Sequence, residues 1–182
     1  MKKLIIAAAI LLSMDANAQR VQPRFDFRFG VGTSFLSTGD IATTMLENEL
    51  NYFINNFLAT SISIGYGRSN EGVFETASFF QGNLNIYLSP FKNNKRNDFR
   101  IGTGLSYINV SDAYLVSADY SNGVVIDEDY KFDKVNSIGM SIILENTYSI
   151  REKFLVGLKL FTQPYENGDM NSGVLVKLGL KI

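Results

Sequence analysis

The feature that most limits what this chain can fold into is a two-residue alternation of apolar and polar side chains. In residues 25–35, FDFRFGVGTSF, one face collects Phe25, Phe27, Phe29, Val31, Thr33 and Phe35. The other collects Asp26, Arg28, Gly30, Gly32 and Ser34. Successive strand side chains point to opposite sides, whereas a helix would scatter both sets around its circumference. The segment reads as a strand.

The same division returns along the chain. Residues 49–54 set Leu50, Tyr52 and Ile54 on one face, and residues 58–67 oppose Leu58, Ile62, Ile64 and Tyr66 to Ala59, Ser61, Ser63 and Gly65. Residues 79–88 oppose Phe80, Leu84, Ile86 and Leu88 to Gln81, Asn83, Asn85 and Tyr87. Segments 99–107, 136–148, 154–161 and 173–182 alternate likewise, which makes eight strands. Connections at 55–57, 90–98 and 149–153 are short or turn-rich; those near 36–47, 68–76, 108–134 and 162–172 are mostly longer and more polar. An even strand number with asymmetric connections is the pattern of a bilayer-spanning antiparallel barrel, in which short turns face the periplasm.

A soluble sandwich or lipocalin-like barrel also alternates, with its bulky apolar set turned inward and charges turned out. Here the faces opposite the apolar ones are dominated by Gly, Ser and Asn. Such small side chains suit the narrow lumen of eight strands. The expected fold is all-β: an eight-stranded antiparallel transmembrane up-and-down β-barrel.

The first residues point to export. Lys2 and Lys3 precede the apolar run Leu4–Leu12, and Ala16-Asn17-Ala18 is an A-x-A cleavage site. This reads as a cleaved secretory signal peptide over 1–18, with the barrel domain over 19–182. The 182-residue chain has no Cys and no His. Disulfides, Ser–His and Cys–His catalysis are therefore excluded, and zinc and haem lose their commonest ligands. No cofactor is expected. The formal charge of −1 becomes −2 once Lys2, Lys3 and Asp15 are removed, which gives no argument for nucleic acid.

FRFGVGTSF at 27–35 has a close copy, FRIGTGLSY, at 99–107. A phosphate loop would need a strand–loop–helix context and a Lys-Ser/Thr pair, and neither copy offers them. In an eight-stranded barrel strands one and five lie opposite each other. The repeat then reads as lumen geometry: glycines hold the lumen open at matching heights, and Arg28 faces Arg100.

The signal peptide, the eight alternating strands and the final VLVKLGLKI resemble the small outer-membrane β-barrel proteins of the OmpA/OmpX type over residues 20–182. That family usually ends its last strand in an aromatic residue read by the assembly machinery; this chain ends in Ile182.

Candidate functional residues follow from this geometry. Asp26, Glu49 and Glu145 with Arg28, Arg100, Lys159, Lys177 and Lys181 fall on the lumen face. An isolated buried charge is costly, so they are expected to pair, as a salt-bridge plug or alternatively as a narrow path for ions or small solutes. The longest connection, 109–134, carries Asp127, Glu128, Asp129 and Asp133 without EF-hand spacing. Its Tyr114, Leu115, Tyr120, Val125, Ile126 and Tyr130 are candidate partner contacts, and its apolar stretches could prolong a hairpin whose open edges accept a strand. A short helical turn is expected near Thr38–Leu46. Tyr52, Tyr66, Tyr107, Tyr148, Phe91 and Phe154 are expected in aromatic girdles. The reading is a non-enzymatic structural or surface-interaction barrel, or an accessory subunit of a larger complex. Its partners would be outer-membrane lipid and, through the outer loops, another outer-membrane protein, with both termini periplasmic.

Overall fold

The computed structural model describes residues 24–36, 41–69, 75–91, 96–121, 124–151 and 153–182, with backbone alone at Arg24, Glu75, Tyr114, Leu115, 118–121 and 124–130. Eight strands run in order: β1 (Arg24–Leu36), β2 (Ile41–Phe53), β3 (Leu58–Ser69), β4 (Glu75–Leu88), β5 (Asn97–Ser121), β6 (Val124–Ser149), β7 (Phe154–Pro164) and β8 (Met170–Lys181). Each pairs antiparallel with its sequence neighbour, and β1 closes on β8. The expected signal peptide, residues 1–18, lies outside the described residues.

The ladders fix how the barrel is staggered. Paired residues followed once around lead from Arg100 through Glu145, Lys159, Leu175, Gly32, Met45, Gly67 and Phe79 to Val110. The path returns ten residues further along β5. Eight strands about 4.8 Å apart with that stagger tilt by about 40°.

The polarity is inverted relative to a water-soluble barrel. Outward side chains are apolar and exposed all round, among them Phe27, Phe29, Ile62, Ile64, Leu84, Ile86, Leu105, Met140, Ile142, Leu158, Val176 and Leu178. Phe25, Tyr52, Tyr148 and Phe154 ring the end that holds the termini; Phe35, Tyr66, Phe80 and Tyr107 ring the other. From Phe25 to Phe35 the tilted strand rises about 26 Å, the height of a bilayer-spanning apolar band. At the far girdle a polar ladder ends the band: the Tyr107 hydroxyl donates to Asn136 Oδ1 at 2.9 Å and the Asn109 amide to the same oxygen at 2.5 Å.

Several expected boundaries change. Ile41–Leu46 is strand, not a helical turn, because its inward set (Thr43, Met45, Glu47) continues the lumen face of β2; Thr38 and Asp40 lie outside the described residues. The β7–β8 connection shrinks to 165–169, where Gly168 takes φ 89° in the turn. Most of 109–134 is strand, so the far end is set apart by one long hairpin and not by generally longer loops. β5 pairs with β4 as far as Tyr114, and β6 is held by β7 and the turn after it as far as a Gly139–Tyr165 bridge, beside which the Glu166 N–H donates to the Ile138 carbonyl at 3.0 Å. The hairpin tip thus runs past β4 by roughly 23 Å of strand.

The glycine repeat also plays a different part. Its two copies do sit on opposite strands, β1 and β5, but the lumen between them is filled. A Cβ at Gly102 would lie 2.6 Å from the Tyr87 ring, and one at Gly104 would lie 2.0 Å from the Leu84 carbonyl oxygen. These glycines make room for an inward tyrosine and a close backbone.

Candidate functional site

The half of the lumen nearest the termini holds a compact charge network. Pleating turns Asp26 and Arg28 of β1, Glu47 and Glu49 of β2, Arg100 of β5, Glu145 of β6, Lys159 of β7 and Lys177 of β8 inward, and all are buried. Four cations therefore face four carboxylates. Register sets Arg100 directly beside its partner Glu145; Arg28 lies opposite Glu49 and Lys159 opposite Glu145, but both reach past these neighbours to other carboxylates.

Two sub-clusters join at Glu145. In the first, Arg28 grips Asp26 through Nε at 2.9 Å and Nη2 at 2.6 Å, and its Nη1 donates to Glu145 Oε1 and, at 2.8 Å, to Thr147 Oγ1. Arg100 Nη2 reaches the same Glu145 oxygen at 2.7 Å, while its Nη1 donates to Asn51 Oδ1 at 3.1 Å. Its guanidinium carbon stands 4.6 Å from the Tyr87 ring centre. In the second, Lys159 Nζ donates to both Glu47 oxygens at 2.8 Å and approaches Glu49 Oε2 at 3.3 Å. Lys177 Nζ lies 2.9 Å from Glu47, 2.8 Å from Glu49 and 3.4 Å from Glu145 Oε2. Tyr87 donates to Glu49 at 3.2 Å.

Above the charges comes a neutral polar layer. Tyr165 donates to Gln163 Oε1 at 3.1 Å, Gln163 to Asn83 at 3.0 Å, Asn83 to Ser63 at 3.1 Å, and Ser63 to Glu47 at 3.4 Å. An unbroken hydrogen-bonded chain thus crosses the lumen from Tyr165 to Asp26. Leu36, Ile108, Phe79 and Ala77, with Ile41 and Val110 packed against them, cap the far mouth.

The structure therefore brings together Asp26, Arg28, Glu49, Arg100, Glu145, Lys159 and Lys177. Lys181 is not among them: it is exposed at the mouth, where it donates to Ser149 at 2.9 Å. Glu47 escaped the sequence reading, although its alternation with Glu49 and Asn51 was the available signal. For Tyr114, Leu115, Tyr120, Val125, Ile126 and Tyr130 the backbone runs in the β5–β6 hairpin and the side chains lie outside the described residues. Among the described residues no cluster of three or more acidic groups could hold a metal ion.

No protein-family model matches the sequence, and no curated protein matches it. Solved structures do. A major outer membrane protein from Thermus thermophilus superposes with a TM-score of 0.65 at 10% identity, over 89% of this chain and 100% of that one. The fold is that of the small eight-stranded outer-membrane β-barrels. Ail of Yersinia pestis, the attachment invasion locus protein, crystallised with the heparin analogue sucrose octasulfate, gives 0.61 at 11% identity, over 89% and 100%. OprG of Pseudomonas aeruginosa gives 0.59 at 12% identity, over 92% and 99%. The likeness is one of fold.

Proposed function

We propose that this chain is a non-enzymatic outer-membrane barrel that works through its surface and keeps its lumen closed. The observation that carries the reading is the inversion of polarity. An apolar belt about 25 Å tall belongs in lipid, and a closed barrel leaves no backbone group unpaired there. The lumen pairs four buried cations with four buried carboxylates, is threaded by hydrogen bonds and carries an apolar cluster at the far mouth, which supports a closed lumen over a path for ions. Residues 1–18 would be removed on export, and the short turns beside the termini would face the periplasm.

The β5–β6 hairpin is the part built to meet a partner. Its strands of 25 and 26 residues outrun their neighbours, so both outer edges present unpaired backbone groups. Val116 and Phe132 are exposed on it, and Tyr114, Leu115, Tyr120, Val125, Ile126 and Tyr130 belong to the same segment. Ail, of the same fold, has been crystallised with a sulfated ligand, which supports a surface role for barrels of this size.

The test is electrical. The full mature chain, reconstituted in planar lipid bilayers, is expected to give no unitary conductance steps. Steady steps that scale with the amount of protein would overturn the closed reading and make the barrel a narrow channel.

A further inference from the structure

One polar side chain stands at an unexpected depth. The β2 pleat sends Glu47 and Glu49 into the lumen, so Asn48 between them faces outward and is exposed. Its cross-strand neighbours are Phe29 and Ile64, and Leu46 and Leu50 flank it along the strand. Phe29 lies four residues above Phe25 and six below Phe35. That places the pair within about 3 Å of the belt's mid-height.

Among the described residues none hydrogen-bonds the Asn48 amide. Nor can the amide escape to water, because the side chain is short and each girdle is about 12 Å away. An unbonded amide in hydrocarbon is strongly unfavourable, and polar groups at that depth act as glue between membrane segments. The other outward polar groups have simpler outlets. Thr103, at similar depth, can turn its hydroxyl to a local carbonyl. Asn146 is two residues from the girdle tyrosine Tyr148, close to the interface.

We propose that the β1–β3 face is the contact between two copies of this chain in the membrane, with Asn48 at its centre. The inference rests on the bilayer placement argued above. A carboxamide carries donor and acceptor side by side, so two copies about a two-fold axis satisfy each other reciprocally. With that axis along the membrane normal every residue returns at its own height, and Asn48 meets Asn48. The surrounding Phe27, Phe29, Leu46, Leu50, Ile62 and Ile64 supply an apolar rim, and no charged side chain stands among them.

The chain has no cysteine, so single cysteines report contact cleanly. Leu50→Cys places a thiol on this face, and Leu144→Cys places one on β6, the opposite wall. Oxidation in native outer membranes is expected to give a species of twice the chain mass from Leu50→Cys and little from Leu144→Cys. Asn48→Leu should weaken dimerisation in lipid, read by energy transfer between labelled copies, by about tenfold, with partial rescue by Asn48→Gln. Because Asn48→Leu adds an apolar group facing lipid, the barrel itself should keep its heat-shifted gel mobility. Equal cross-linking from both faces, a monomer at every protein-to-lipid ratio, or a dimer indifferent to Asn48→Leu would each sink the proposal. So would a Leu50→Cys adduct of another mass, which would mean a different protein covers the face. Absence of the chain from the membrane fraction would instead bring down the bilayer placement, and this inference with it.

Discussion

Arg28 and Arg100 rise from opposite walls of the barrel, on β1 and β5, and donate to the same oxygen of Glu145. Two like charges converge only because one carboxylate stands between them and others balance the outside: Asp26 on Arg28 and, at 3.7 Å, Asp98 on Arg100. The other oxygen of Glu145 faces Lys177 at 3.4 Å. Glu145 is thus the joint at which both halves of the network meet.

Removing that joint should be costly. Glu145→Gln keeps the shape but leaves three buried cations short of a carboxylate, and breaking a buried pair from one side costs about 3–5 kcal/mol. Urea unfolding of the lipid-reconstituted barrel should report a loss of that size. Lys181→Gln, exposed at the mouth, should change stability by less than about 0.5 kcal/mol. Similar small losses for both variants would show that water enters the lumen freely.

Lys159 and Glu47 offer a cleaner measure of coupling, since Lys159 Nζ lies 2.8 Å from both Glu47 oxygens. Lys159→Met and Glu47→Gln should each destabilise the barrel, and the double variant should lose less than the two summed. A coupling of about 1–3 kcal/mol is expected in urea unfolding. Strict additivity would mean that Lys177, also 2.9 Å from Glu47, takes over as its partner.

Much of this arrangement was legible in the sequence, and the limits are instructive. Period two sorted Asp26, Arg28, Glu49, Arg100, Glu145, Lys159 and Lys177 to one face because a strand's pleat cannot do otherwise. It failed over 41–47, where Ala42 and Thr44 face outward while Met45 faces inward, so apolarity no longer marks the outer side and Glu47 passed unnoticed. Contacts were a different matter. Which cation meets which carboxylate depends on the ten-residue stagger, and that property of eight ladders closed together is written in no single strand. The filled lumen was equally hidden, since Tyr87 occupies the space opened by a glycine on the neighbouring strand.

The glycines permit a paired test. A Cβ at Gly67 would fall 2.1 Å from the buried Phe79 ring, whereas one at Gly82, on the outer face, meets nothing within 4 Å. Gly67→Ala should therefore destabilise by about 1–3 kcal/mol and be partly relieved by Phe79→Leu. Gly82→Ala should stay within about 0.5 kcal/mol. Equal effects in unfolding experiments would contradict the packing at the far mouth.

Orientation can be read with two thiols at opposite ends. Phe132, on the projecting hairpin, is 73% exposed, and Phe91, in the β4–β5 turn beside the termini, is 71% exposed. Phe132 lies beyond the apolar belt and Phe91 stands at its terminal rim, its ring 6.2 Å from that of Phe99, so a maleimide that cannot cross membranes discriminates by side alone. If the termini are periplasmic, Phe132→Cys labels on intact cells and Phe91→Cys labels only after the outer membrane is opened. The reverse pattern would invert the barrel and put the long hairpin in the periplasm, where its open edges would meet envelope proteins and not the outside. Labelling of both thiols on intact cells would mean that the chain does not span the membrane, and the apolar belt would then need a protein cover in place of lipid.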